Sequence, residues 1–215
     1  MAIAKNDFIE VEFTGEITGT DEVFDTNVES EAKKAGIDSK NIKPFVLSVG
    51  HKMLPNGFDD DLAGKDAEKS YTLELKAVDA FGKRNPQMIR MVPTKMFHEQ
   101  KINPIKGMQI SLDGQLTKIL SSDKGRTLVD FNNPLAGKDV TYNYKITRIV
   151  TDDKEKVNAL QDFLFRRRFD FDISDKTVTF KVEKQFEPFV KMFAPKFEEI
   201  LSQKIEVEIV DVKKD

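Results

Sequence analysis

The chain has 215 residues, of which 33% are charged and 39% are hydrophobic, and its 34 Lys and Arg nearly balance its 37 Asp and Glu. This balance argues against a protein that gathers nucleic acid or an anionic membrane through its net charge. The absence of Cys excludes disulfides, thiolate nucleophiles and cysteine metal sites. No stretch approaches the ~18 apolar residues of a membrane span, and the N-terminal residues lack the apolar core of a signal peptide. We therefore expect a cytoplasmic protein.

The N-terminal region has the alternation of apolar and polar residues that is typical of half-buried strands. Ile9, Val11 and Phe13 alternate with acidic residues, and two later stretches repeat the pattern. Residues 28–42 are mostly charged and small, which indicates a loop or a short surface helix. The acidic run 59–61 predicts the first turn of a short helix, because negative charge is favoured at a helix N-terminus. The predicted strands cover residues 8–13, 23–25 and 45–49.

The five-residue sequence Leu-Ala-Gly-Lys-Asp occurs twice, at 62–66 and at 135–139, and each copy leads into an alternating strand pattern. Two strands that follow such Gly-containing turns would be neighbours in one antiparallel sheet, with the residues between them forming an inserted module. The alternative is that two loops share turn chemistry and nothing more. The residues alone leave both interpretations open.

The composition changes between residues 85 and 131. Pro86, Pro93 and Pro104 prevent a long helix, and this region contains most of the 7 Met of the chain. Short alternating stretches on both sides of Asp113-Gly114 predict a hairpin.

A further domain is predicted after the second strand pattern. Thr151-Asp152-Asp153 is typical of a helix N-cap, and the residues that follow have helical spacing. A strand at 178–182 precedes a helix that Pro188 opens and that we expect Pro195 to break or kink. A strand at 205–209 closes the chain.

Motifs for common chemistries are absent. The phosphate-loop and dinucleotide-binding patterns fail, and His51 and His98 have no partner at ligand spacing. We therefore expect no metal and no cofactor. Arg166-Arg167-Arg168 lies among Phe residues, which resembles a nucleic-acid contact, but cations at a helix C-terminus beside core Phe residues are the stronger interpretation.

An ordered set of aromatic segments remains, and by composition alone its apolar residues are most simply a core. The segments are Val11-Glu12-Phe13-Thr14-Gly15, Phe24-Asp25, Pro44-Phe45, Gly57-Phe58, Ala80-Phe81-Gly82 and the strand of Tyr142. In this order they resemble the FKBP family of peptidyl-prolyl cis-trans isomerases, over about residues 5–84 and 132–150. The insert after Ala80-Phe81-Gly82 is similar to that of the long-type, SlyD-like and archaeal members.

The resemblance implies an α+β fold, with an FKBP-like curved antiparallel sheet around one short helix. It places an isomerase domain at 1–84 and 132–150, a small β-rich insert-in-flap chaperone domain at 85–131, and a C-terminal α+β domain at 151–215. The C-terminal domain is near the lower size limit for an independent core, so we expect it to dock or to form a homodimer.

The resemblance also implies an enzyme that accelerates rotation about Xaa-Pro bonds. Phe58 would form the floor of an aromatic pocket, and the other rings would form its walls. Leu54 would contact the proline ring, and Asp25 would face the substrate backbone. The implied catalytic residues are Phe24, Asp25, Phe58, Phe81 and Tyr142, and the implied substrate-binding residues are Phe13, Phe45, Leu54, Pro55, Met91, Val92, Met96 and Phe97.

Three positions depart from the family pattern. Phe13 and Phe81 stand where many members have Tyr, which removes two hydroxyl groups and one hydrogen-bond partner of Asp25. Pro55 falls where the family uses a backbone N–H to hold a ligand carbonyl, and proline has none. Another register within 53–57 would restore a donor from Asn56. These departures bear on macrolide affinity and on catalytic strength.

The methionine-rich insert either forms an exposed, adaptable surface that holds unfolded chain or is an ordinary small core. The residues concerned are Met88, Met91, Val92, Met96, Phe97, Ile102 and Ile105. The expected partners are unfolded or proline-containing polypeptides, with no membrane and no nucleic acid among them. The alternative function is a non-catalytic holdase that binds unfolded polypeptide.

Overall fold

The computed structural model describes residues 2–38, 42–112 and 114–210. Asp113 of the predicted hairpin turn lies outside the described residues. By its internal contacts the chain divides into a first unit, residues 1–73 and 141–215, and a second unit, residues 74–140.

The described residues contain twelve strands and five α-helices. In chain order they are β1 Phe8–Ile17, β2 Val23–Thr26, α1 Glu29–Ala35, β3 Phe45–Ser48, α2 Asn56–Leu62, β4 Ser70–Leu75, β5 Ile89–Pro93, α3 Thr94–Glu99, β6 Gln109–Leu112, β7 Gln115–Asp123, β8 Arg126–Asp130, β9 Val140–Ile149, α4 Asp153–Leu160, β10 Asp170–Ser174, β11 Thr177–Val182, α5 Glu187–Leu201 and β12 Lys204–Ile209.

A sheet with the order β2-β1-β9-β4 contains the predicted N-terminal strands, and β3 pairs with β1. Both β2 and β3 run antiparallel to β1. Alternate residues of β1 are buried, with Ile9 and Val11 at 0% exposure, because successive side chains of a strand point to opposite faces. The prediction of strands at 8–13, 23–25 and 45–49 is confirmed.

The repeated pentapeptide forms the same turn in both places. The backbone N–H of Lys65 donates to the Leu62 carbonyl at 3.3 Å, and that of Lys138 donates to the Leu135 carbonyl at 3.1 Å. The glycine of each copy has a positive φ, 83° and 79°, which glycine adopts without a steric penalty. Shared turn chemistry therefore explains the repeat, and the strands that follow the two copies, β4 and β9, are neighbours in the sheet as predicted.

Helix α2 is short and is held by side chains at its N-terminal end. It has seven residues, and Pro55 precedes it without a capping side chain. The Asp59 carboxylate accepts hydrogen bonds from the backbone N–H groups of Gly50 at 3.0 Å and Lys52 at 2.9 Å. A helix of this length has little stability of its own, so the packing of Phe58 and Leu62, both fully buried, keeps it in place.

The second unit contains an antiparallel sheet with the order β5-β8-β7-β6 and helix α3. Its core includes Phe97 at 2% exposure and Ile119 and Val129 at 0%. Near the predicted boundaries of the insert, the Asn132 side chain accepts from the Asn85 backbone N–H at 2.8 Å and donates to the Asn85 carbonyl at 3.0 Å. These bonds join the segment that enters the sheet to the segment that leaves it.

The C-terminal part of the first unit contains a three-stranded sheet with the order β10-β11-β12. Strand β11 is antiparallel to β10 and parallel to β12, and α5 connects β11 to β12. The Asp152 side chain caps α4 by accepting from the Glu155 backbone N–H at 2.8 Å, which confirms the predicted helix start. The ring of Phe165 lies within 6 Å of five other phenylalanine rings and forms the centre of this core: Phe169, Phe180, Phe189, Phe193 and Phe197.

Of the two expectations for Pro195, a break or a kink, the break is wrong. Helix α5 runs without interruption from Glu187 to Leu201 with Pro195 inside it, and Pro188 lies in its first turn as expected. An internal proline removes one backbone hydrogen bond. The helix continues because Val190, Phe197 and Ile200, on both sides of Pro195, are buried in the core, and packing outweighs the local preference.

His51 is buried in the first unit, with its side chain 2% exposed. Its Nε2 lies 2.7 Å from Asn6 Oδ1, and within the described part of the chain its Nδ1 has no hydrogen-bond partner. The pKa of His51 is lowered, first by desolvation and then by Lys196 and Lys5, while Glu199 and Asp59 oppose the change. The folded protein therefore disfavours the protonated imidazole.

We predict that His51 weakens folding as the pH falls. Below about pH 6.5 this residue becomes protonated in the unfolded chain, whereas in the folded protein its protonation requires a lower pH. The free energy of unfolding should therefore decrease between pH 7 and pH 5 by up to about 1.4 kcal/mol for each unit by which the two pKa values differ.

Urea titrations across this range check the prediction. The slope of the free energy of unfolding against pH should be smaller in His51→Gln than in the wild type. It should be the same in His98→Gln as in the wild type, because His98 is exposed. Equal slopes in the wild type and His51→Gln would contradict it.

Candidate active site

Four aromatic rings from four different elements meet in the first unit, and we call them the aromatic cluster: Phe13 of β1, Phe24 of β2, Phe58 of α2 and Tyr142 of β9. The ring centroids of Phe58 and Tyr142 are 4.7 Å apart, and those of Phe24 and Tyr142 are 5.7 Å apart. Phe13 meets Phe58 at 6.3 Å and Tyr142 at 6.1 Å in edge-to-face arrangements. Edge-to-face contacts at these distances are favourable, so the rings hold one another in place.

Three rings of the cluster are buried, and the fourth, Phe24, is partly exposed. Phe58 is 0%, Tyr142 2% and Phe13 8% exposed, while Phe24 is half-buried. The arrangement offers an apolar floor and wall beside solvent, which suits an apolar ring such as that of proline.

Gly15 permits the close approach of two of these rings. A Cβ atom on Gly15 would lie 2.6 Å from the Phe24 ring and 2.9 Å from the Tyr142 ring. Carbon atoms do not approach so closely without displacement. The glycine that follows Phe13-Thr14 in the sequence is therefore needed for the packing of the cluster.

One carboxylate lies beside the cluster. Asp25 keeps an exposed edge, yet the surrounding protein displaces enough water from its carboxyl to raise its pKa, and a hydrogen bond from the Thr26 backbone N–H opposes this in smaller measure. The pKa of Tyr142 is raised well above its ordinary value, first by desolvation and then by the charge of Asp25. Tyr142 therefore stays a neutral phenol, which can donate a hydrogen bond.

The other residues predicted for this site have the following positions. Phe45 lies on β3 and pairs with Val11, and its side chain, like those of Leu54 and Pro55, is half-buried. The Pro55 carbonyl accepts from the backbone N–H groups of Phe58 at 2.9 Å and Asp59 at 3.0 Å, so Pro55 belongs to the turn that begins α2. Phe81 is half-buried in the second unit.

Sequence reasoning missed Tyr144, whose ring centroid lies 4.8 Å from that of Phe58. The signal was available, because Tyr144 follows Tyr142 by two residues on the same strand and therefore shares its face. Tyr144 is 3% exposed, so it supports Phe58 from within the core.

The insert exposes several large apolar side chains. Met91 is 59% and Met96 54% exposed, and Val92 is half-buried. The surface also includes Ile105, Met108 and Leu116. The expectation for Phe97 needs correction, because this ring is 2% exposed and belongs to the core of the second unit. Met96 and Phe97 are successive residues of one short helix, and when Phe97 faces the core Met96 faces outward.

All three consecutive arginines have partners within the protein. Arg168 binds both carboxylate oxygens of Asp162, at 2.9 and 2.6 Å. The Arg167 guanidinium lies 4.6 Å from the centre of the Phe169 ring and 4.2 Å from that of Phe186. The first arginine, Arg166, follows the helical turn Gln161–Phe165 with a positive φ of 55°, and its guanidinium lies 6.0 Å from the centre of the Phe163 ring. These contacts favour the interpretation that the three arginines stabilise the C-terminal core over the interpretation that they bind nucleic acid.

Two other kinds of feature are absent from the described residues. None of the helices there is both long and apolar enough to cross a membrane. The same part of the chain contains no group of three His, Asp or Glu side chains that could hold a metal ion.

Comparisons with known proteins agree with the arrangement of the cluster. Residues 1–98 match the family of FKBP-type peptidyl-prolyl cis-trans isomerases, and residues 90–135 match the family described as FKBP26, IF domain. A short-type peptidyl-prolyl cis-trans isomerase of Methanocaldococcus jannaschii is 28% identical over 133 residues, which are 61% of this chain and 83% of the relative. All the residues of the aromatic cluster except Tyr142 lie within residues 1–98. Residues 1–98 are therefore identified as part of an FKBP-type peptidyl-prolyl cis-trans isomerase domain.

Proposed function

We propose that the aromatic cluster is the site at which this isomerase accelerates rotation about Xaa-Pro bonds in folding proteins, and that the insert binds the unfolded chain. The observation that carries the proposal is the packing of Phe13, Phe24, Phe58 and Tyr142 into one apolar group with a desolvated Asp25 beside it.

Rotation about an imide bond requires no nucleophile. Its barrier of roughly 18–20 kcal/mol comes from amide resonance, which keeps the bond planar. The planar form is the more charge-separated, so water stabilises it, and an apolar site that excludes water favours the twisted form. Binding the twisted form about 4 kcal/mol more tightly than the planar form accelerates rotation about a thousandfold.

The residues then have distinct roles. Phe58 is the floor under the proline ring, and Phe24, Phe45 and Tyr142 are its walls. Phe13 supports the cluster, and Leu54 contacts the proline ring. Asp25 faces the substrate backbone, and partial desolvation of its carboxyl raises its pKa. In the N-terminal turn of α2 a donor to the substrate carbonyl comes from Asn56, since Pro55 has none.

The insert adds the second activity. Met91 and Met96 are exposed and flexible, and such side chains adapt to many apolar segments. A client held loosely there has a high effective concentration at the aromatic cluster. The match of residues 90–135 to an IF domain supports this assignment and the long-type, SlyD-like subtype.

The same proposal includes the domain boundaries and the setting of the protein. We place the isomerase domain at 1–84 and 132–150, the insert at 85–131, and the C-terminal domain at 151–215, where a homodimer forms. The clients are cytoplasmic polypeptides that contain proline.

A single-ring change tests the site. We predict that Phe58→Leu lowers kcat/KM on a short Xaa-Pro peptide at least tenfold, because the proline ring loses its aromatic floor. The matched control is Phe180→Leu, which shortens an equally buried ring in the C-terminal core and should leave kcat/KM unchanged.

Both variants are assayed at a temperature where circular dichroism shows them folded. Equal activity of Phe58→Leu and the wild type would contradict the assignment of the site. The wild-type protein could also accelerate neither the isomerisation of the peptide nor the slow phase of proline-limited refolding. If it then still suppresses aggregation, the result favours the non-catalytic holdase.

A second substitution tests the insert. We predict that the Met91→Ser and Met96→Ser double variant keeps full activity on the short peptide but loses it several-fold on an unfolded protein with a proline-limited refolding phase. Exposed side chains contribute little to stability, so the fold should be retained. Met192→Ser, which alters an equally exposed methionine of α5, serves as the control and should retain both activities. Equal losses on peptide and protein would argue against a separate client-binding surface.

A further inference from the structure

Phe58 is in contact with two tyrosines of the same strand, and only one of them belongs to the aromatic cluster. Its ring centroid lies 4.7 Å from that of Tyr142 and 4.8 Å from that of Tyr144. Tyr142 and Tyr144 are two residues apart on β9, so they present their rings on one face of the sheet. Tyr144, which is 3% exposed, therefore packs against the proposed floor of the site from within the core.

The hydroxyl of Tyr144 makes a second contact with the helix that carries Phe58. It donates a hydrogen bond of 2.6 Å to Asp61 Oδ2. Asp61 follows Phe58 by three residues on α2 and so lies on nearly the same side of the helix. One side chain thus touches α2 at two points, the ring at Phe58 and the hydroxyl at Asp61. Two contacts restrict the rotation of a seven-residue helix about its axis, which one contact cannot do.

A closed set of contacts holds the Tyr144 and Asp61 pair in place. The second oxygen of Asp61 lies 3.2 Å from Lys65 Nζ, and Lys65 Nζ lies 4.8 Å from the centre of the Tyr71 ring. The Tyr71 ring is stacked on Tyr144 at 5.4 Å and 29°. The Tyr71 hydroxyl is itself bound to the backbone of Asp66, accepting from its N–H at 3.0 Å and donating to its carbonyl at 3.2 Å.

The Tyr144 hydroxyl remains the donor of this bond. Desolvation and then the Asp61 carboxylate raise the pKa of Tyr144 well above its ordinary value, so the phenol keeps its proton. A hydrogen bond from a hydroxyl to a carboxylate is among the stronger ones in proteins.

We infer that Tyr144 and Asp61 are positioning residues of the isomerase, because their hydrogen bond fixes α2 and thereby the orientation of the Phe58 ring under the proline. The inference rests on the proposed role of Phe58 as the floor of the site. The floor ring has to be complementary to the twisted transition state, so a small change in its orientation lowers kcat more than it weakens the binding of the planar substrate.

The test removes the hydroxyl and keeps the ring. Tyr144→Phe should lower kcat on a short Xaa-Pro peptide about fivefold and leave KM within a factor of two. Asp61→Ala should have a similar effect, and the double variant should be no worse than either single variant, because all three lack the same bond.

A matched control separates positioning from loss of stability. Thr147 lies on the same strand, and its hydroxyl donates to the Glu10 carboxylate at 2.7 Å and to the Glu10 carbonyl at 3.1 Å. Thr147→Val therefore removes a hydrogen bond to a carboxylate without a change near Phe58, and its kcat should equal that of the wild type. An unchanged kcat in Tyr144→Phe, or an equal loss in Thr147→Val, would overturn the inference.

The proposed site is tested separately in the same assay. If Phe58→Leu is active like the wild type, the assignment of the floor fails. If Phe58→Leu is impaired and Tyr144→Phe is not, the floor assignment stands and only the positioning role fails.

Discussion

The contact between Phe58 and strand β9 is the interaction on which the site depends. Helix α2 has only seven residues and no capping side chain at its first residue, so its position is set by tertiary packing. Phe58 supplies that packing through Tyr142 and Tyr144, and Asp59 and Asp61 add hydrogen bonds to Gly50, Lys52 and Tyr144. The residue proposed as the floor of the pocket is therefore also the residue that anchors the helix. Such a double role makes the floor rigid, which favours a preorganised site.

The chemistry of the site follows from exclusion of water. An isomerase needs no proton transfer and no nucleophile, and the cluster offers aromatic rings, a neutral phenol and one desolvated carboxylate. The insert, in contrast, exposes apolar side chains to solvent. Its core of Phe97, Ile119 and Val129 is buried, while Met91 and Met96 remain outside that core. The small β-rich module thus keeps a folded interior and still presents an apolar surface, which reconciles the two interpretations that the sequence left open.

Much of the fold follows from local patterns in the sequence. The alternation of Ile9, Val11 and Phe13 predicts β1, and the cap at Asp152 predicts the start of α4, because both patterns are set by near neighbours. The adjacency of β4 and β9 could be predicted from the repeated turns. The course of α5 through Pro195 could not, since burial of residues on both sides outweighs the local cost of proline.

The candidate site was predictable in part. The order of the aromatic segments gives Phe13, Phe24, Phe58 and Tyr142, which the fold brings together. The burial of Phe97 depends on which side of a short helix faces a sheet, and composition does not contain that information. The Tyr144 and Asp61 bond joins residues that are 83 positions apart. Only the three-dimensional structure shows that the two meet.

The most direct test of the central claim is to observe which protons of the protein lie close to a bound proline. Nuclear Overhauser effects between the ring protons of a proline in a bound peptide and the side chains of the protein report distances below about 5 Å. The account predicts strong effects from the proline to Phe58, Tyr142 and Phe24. Effects confined to Met91, Met96 and their neighbours on the insert, with none to Phe58, would contradict it.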